Sequence, residues 1–131
     1  MRLRVVSQSM MPLLRVGDTI VVQRVSPASL RRGDLIVVVQ GETFITHRLV
    51  AIDRDGWRMK GDRLRFADPP VQANDILGRV VAIERGFDSI DLSGWYWTIT
   101  NRIWGYLGWL EASFFQALRR MWDNIPHHSG L

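Results

Sequence analysis

Up to Arg85 the apolar residues come in short β-branched runs separated by turn signals, which is the pattern of strands and not of helices. Thr19–Val25 follows Gly17-Asp18, and Leu35–Gln40 follows Gly33-Asp34. Phe44–Asp53 runs up to Asp55-Gly56, where a tight hairpin turn is expected to lead into Trp57–Lys60, and Ile76–Glu84 supplies a last strand. Closely spaced strands with no helical period between them predict a mainly β, barrel-type domain and not alternating βαβ units.

After Gly86 the pattern changes. From Thr98 to Trp122 apolar residues recur at Ile99, Ile103, Tyr106, Leu107, Leu110, Phe114, Ala117, Leu118 and Met121, the spacing of one face of an amphipathic helix. Most of the tryptophans fall here, between Trp95 and Trp122. Two units are therefore expected: the β domain at 1–86, and at 87–131 a tryptophan-rich helix with a frayed tail from Ile125 onward.

A membrane span needs about 20 mostly apolar residues, and Asn101, Arg102, Glu111, Gln116 and Arg119-Arg120 interrupt this one. Tryptophan flanked by arginine suits a helix lying in a bilayer interface; the other reading is a helix that packs on the β domain or on a partner protein. Pattern alone leaves both open.

Composition narrows the chemistry. A chain of 131 residues holds one core and at most a short appendage, and 47% hydrophobic with 23% charged residues is enough to fold around it. Cysteine is absent, which excludes disulfides, thiolate metal sites and a cysteine nucleophile. His47 is the only histidine outside the tail pair His127-His128, too few for a typical zinc site, so neither a metal nor an organic cofactor is expected. The net charge is +4, but the arginines are scattered and form no dominant cluster, so nucleic acid is not the expected partner. Met1–Val6 is too short and too charged for a secretory signal.

In Ser7-Gln8-Ser9-Met10-Met11-Pro12 a serine stands between an extended start and a proline-fixed turn, where its hydroxyl can lie beside free backbone N–H groups. Such donors are what acyl transfer needs to hold a developing oxyanion. That segment, then Arg32-Gly33-Asp34-Leu35-Ile36-Val37-Val38, Thr46-His47-Arg48-Leu49-Val50 and Lys60-Gly61-Asp62, taken in order, resembles the boxes of the signal peptidase I family within the LexA/signal peptidase superfamily.

The resemblance covers Ser7 to Arg85 and implies a β-rich catalytic fold that hydrolyses a peptide bond after small side chains in an extended peptide or precursor. It implies Ser9 as nucleophile, with Ser7 lining the oxyanion hole and Met10 beside it. It also implies His47 as general base, as in the endoplasmic-reticulum, archaeal and sporulation-type members, where the usual bacterial enzymes carry lysine. Imidazole suits that role because it titrates near neutrality. The sole lysine, Lys60, aligns with a position that is not the lysine base. An acid should orient His47. Asp62 and Asp68 reproduce the family's spacing of two aspartates, with Asp68 assigned to the triad and Asp62 to a structural or supporting role.

The chain departs from the family at Gln8, where glycine is usual, and at Arg63-Leu64, where asparagines are usual. Family members begin with a transmembrane helix just before the serine box, but six residues precede Ser7 here. The expected enzyme is thus held at a membrane through its C-terminal helix, or works as a soluble processing peptidase in the cytoplasm. Two other readings stand beside it. One is a LexA-like self-cleaving peptidase, which uses a lysine base; the other is an inactive module that binds extended peptides, which a long Ser9–His47 separation would favour.

Overall fold

The structure is a computed structural model that describes residues 1–125, with 95 and 96 described by backbone alone. The tail expected to fray lies, beyond Ile125 and with His127 and His128, outside the described residues. Seven strands precede one helix: β1 (Arg2–Arg4), β2 (Thr19–Gln23), β3 (Leu35–Gln40), β4 (Thr43–Asp53), β5 (Gly56–Lys60), β6 (Ile76–Arg85), β7 (Asp88–Asp91) and α1 (Trp95–Asp123), with short 3-10 turns at Pro27–Ser29 and Ala73–Asp75. All strands pair antiparallel in the order β1-β2-β6-β3-β4-β5, and β7 adds to β6. The fold is therefore mainly β with one C-terminal helix. The sheet runs past the boundary expected at Gly86, because β7 pairs Ile90 with Ile83 of β6 and Leu92 enters the core.

Strand β3 shows why the sheet holds together. Its residues Leu35, Ile36, Val37 and Val38 are all buried, and alternation sends Leu35 and Val37 into one apolar cluster and Ile36 and Val38 into another. The first cluster joins Met10, Leu14, Ile20 and Ile83; the second joins Leu30, Leu49, Met59 and Val71. Both β4 and β6 flank β3, so the strand that carries His47 is braced on the buried stretch Leu35–Val38.

Helix α1 packs on the sheet with small and polar residues and, in its first turn, with Trp97. Asn101, Gly105 and Ala112 are buried against the β domain, and Gly108 lies over Val50. The approach is backbone to backbone: a Cβ added at Gly105 would stand 2.5 Å from the Gly33 nitrogen. Gly33 itself has φ +100, a left-handed conformation that favours glycine. The apolar stripe of the helix points the other way, and Ile103, Leu110 and Phe114 are exposed. The helix is amphipathic as its spacing predicts, but its contact with the domain is made by the opposite face. Among the described residues no helix is long and apolar enough to cross a membrane.

Candidate active site

Three separate segments bring a hydroxyl, an imidazole and a carboxylate together. Ser9 lies in the turn-rich loop between β1 and β2, His47 lies in β4 opposite Ile36 of β3, and Asp68 follows β5 in an irregular loop. The His47 Nε2 is 3.0 Å from Ser9 Oγ, and its Nδ1 is hydrogen-bonded to Asp68 Oδ2. His47 is 7% exposed, so the ring is largely shielded from bulk water. The Asp68 loop is pinned where it matters, since the Asp68 N–H donates to Met59 O of β5 at 2.7 Å.

A carboxylate on Nδ1 is an acceptor, which leaves Nδ1 as the protonated ring nitrogen and Nε2 as the acceptor facing Ser9. That is the tautomer a general base needs. Ser7 Oγ stands 3.2 Å from Ser9 Oγ and 3.5 Å from the Ser9 backbone nitrogen, so a second hydroxyl shares the site. Among the described residues the Met10 N–H has no hydrogen-bond partner. The Met10 side chain is buried in the core, where its Sδ accepts the Asp62 N–H at 3.3 Å, so only the backbone of Met10 is available to a substrate oxyanion.

The serine loop is fastened at both ends. On one side the Arg63 N–H donates to Ser9 O at 2.9 Å, and the chain passes so close that a Cβ at Gly61 would stand 2.9 Å from the same oxygen. On the other, Asp18 accepts from the Arg15 N–H and from Arg85 of β6, while Arg85 also donates to Leu13 O at 2.9 Å. The Arg85 guanidinium holds the Asp18 carboxyl below the usual carboxylate range against the opposing effect of burial.

Asp62 sits apart from the imidazole. It receives both Nε and Nη2 of Arg48, at 2.7 and 2.8 Å, and Arg48 Nη1 continues to Gly33 O and to Asn101 Oδ1 of α1. Consecutive strand residues project to opposite faces, which is how His47 reaches Ser9 while Arg48 reaches the helix. Lys60 is also buried and pairs with Glu111 of α1 at 3.3 Å. In the sequence Arg48 stands only as a member of a box, Lys60 as a lysine that is not the base, and Asn101 as a polar interruption of the helix. A polar residue on the same helical face as Gly105, Gly108 and Ala112 was the available signal for Asn101.

A cleft of about 670 Å³ opens beside Ser9 and His47, walled by Leu3, Val5, Leu14, Ile20 and Ile45. Its sides are two extended segments, residues 3–7 and the first half of β4. Strand β5 pairs with β4 only from Arg48 to Asp53, so the edge of residues 43–47 away from β3 carries no paired strand among the described residues. An apolar trough with an open strand edge can take an extended peptide.

The antiparallel β domain agrees with the match of a family model in placing the chain in the LexA/signal peptidase superfamily. More particularly, the chain belongs to the Peptidase S24-like family, whose model matches residues 1–81 and thereby takes in Ser7, Ser9, His47, Asp62 and Asp68 but not α1. No curated protein and no solved structure matches the chain.

Proposed function

We propose that this protein is a serine endopeptidase of the signal peptidase type, which cleaves extended peptides or precursors with Ser9 as nucleophile, His47 as base and Asp68 as its orienting acid. The observation that carries this reading is the 3.0 Å approach of His47 Nε2 to Ser9 Oγ with Asp68 on the other ring nitrogen. Substrate adds as a strand along residues 43–47, with its apolar side chains in the trough.

Ser9 Oγ attacks the scissile carbonyl carbon as its proton passes to His47 Nε2, and the negative charge moves to the carbonyl oxygen. The Ser7 hydroxyl and the backbone N–H groups of Ser9 and Met10 are the donors near that charge. His47 then gives the proton to the leaving amine as the C–N bond breaks, which leaves an acyl ester on Ser9. Water, deprotonated by His47, attacks the ester; the bond from the acyl carbon to Ser9 Oγ breaks, His47 returns the proton to that oxygen, and the acid product leaves.

Against the LexA-like alternative stands His47 at the base position, with Lys60, the sole lysine, buried and paired with Glu111 of α1. The inactive-module alternative rests on a separation of nucleophile and base, and 3.0 Å argues against it. The test is cleavage of a peptide library by the wild type beside Ser9→Ala and His47→Ala, read by mass spectrometry. Cleavage after small residues that both substitutions abolish supports the proposal. Binding of extended peptides without any cleavage, unchanged by either substitution, overturns it in favour of the binding module.

A further inference from the structure

Helix α1 turns its most apolar surface away from the protein that carries it. At 3.6 residues per turn, Ile103, Tyr106, Leu107, Leu110, Phe114 and Leu118 fall within roughly 120° of the circumference, and each is exposed by 41% or more. An exposed stripe of this length on a 29-residue helix marks an interaction surface and not scattered surface hydrophobics.

Three features specify what covers it. The stripe is broader than the narrow a/d seam with which helices of a coiled coil meet, so it fits a flat apolar medium better than a second helix. Its margins carry amphipathic aromatics, with exposed Trp104 and Trp122 on one side and Trp109 on the other, residues that favour the level of lipid headgroups. The charge beside those margins is positive. Arg32 lies 5.2 Å from the Trp109 ring, and Arg32 and Arg120 have no acidic partner among the described residues. Glu111, the acid nearest the stripe, is paired with Lys60.

We infer that the outward face of α1 lies in the interface of an anionic lipid bilayer, with the helix parallel to the membrane plane and the β domain held on its inner face by Gly105 and Asn101 and at its flank by Glu111. Because Arg48 and His47 project to opposite sides of β4, the helix and the Ser9 cleft contact opposite sides of that strand. This attachment is independent of the peptidase chemistry.

Flotation with phosphatidylcholine vesicles, with and without one third phosphatidylglycerol, tests the inference together with tryptophan emission. The wild type is expected to float with the anionic vesicles, to shift its emission to the blue, and to bind neutral vesicles and high-salt samples at least tenfold more weakly. Leu110→Glu with Phe114→Glu should abolish flotation, and Arg32→Gln with Arg120→Gln should weaken it on anionic vesicles only. All four side chains are outside the core, and circular dichroism of each variant should match the wild type. Absence of wild-type flotation overturns the inference, as does a lipid-free dimer in sedimentation velocity that the Leu110→Glu and Phe114→Glu pair dissolves, which would make the face a contact between copies.

Discussion

Arg48 Nη1 lies 2.8 Å from Asn101 Oδ1, so the strand residue next to His47 is tied to a helix that lies beyond the segment matched by the family. Arg48 is 1% exposed, and its guanidinium is shared among Asp62, Gly33 O and Asn101. Asn101→Ala leaves one N–H of that buried guanidinium unpaired while Gly33 O still accepts the other from Nη1, and should lower stability by about 1 to 3 kcal/mol in urea unfolding.

Asp62 and Asp68 should separate cleanly under substitution. Asp68→Asn retains the shape but not the carboxylate on His47 Nδ1, and should lower kcat by about 10³- to 10⁴-fold with little effect on thermal unfolding. Asp62→Ala strips Arg48 of its ion pair and should instead cost about 3 kcal/mol of stability. Steady-state kinetics beside calorimetry distinguishes the two.

Gly61 is a spacing residue for the nucleophile. A methyl group there would meet Ser9 O at 2.9 Å, closer than carbon and oxygen can pack, so Gly61→Ala must push the serine loop outward. A displacement of about 1 Å is enough to lower the rate about 10²-fold, and the loss should appear in kcat more than in stability.

The clamp of Arg85 on Asp18 gives stability a defined pH dependence. The folded pKa of Asp18 is depressed, so its contribution is present above the ordinary aspartate value of about 3.9 and is lost as pH falls through the folded value. Asp18→Asn should therefore destabilise the protein at pH 7 by about 1 to 3 kcal/mol, and the gap to the wild type should close as unfolding is followed to lower pH.

Five of the seven strands and the helix were legible because β-branched runs and a 3.6-residue period carry their own signal. Strands β1 and β7 were not, since Arg2-Leu3-Arg4 and Asp88-Ser89-Ile90-Asp91 each hold a single apolar residue and owe their form to pairing with β2 and β6. Ser9, His47 and Asp68 were named from their boxes, and the folded chain brings these three together. The link from Arg48 to Asn101 was hidden, because a buried ion network leaves no period in the sequence. The direction of α1 was equally hidden: hydrophobic spacing identifies a face but not what it faces, and here two close-packed glycines decided the docking side.

The most direct test of Ser9 as a His47-activated nucleophile is the intact mass of the protein after acid quench during turnover of a peptide ester. The wild type should carry one acyl adduct that maps to Ser9, and Ser9→Ala and His47→Ala should carry none. An unmodified wild type that nevertheless turns over the ester, or an adduct that persists in Ser9→Ala, would contradict the account.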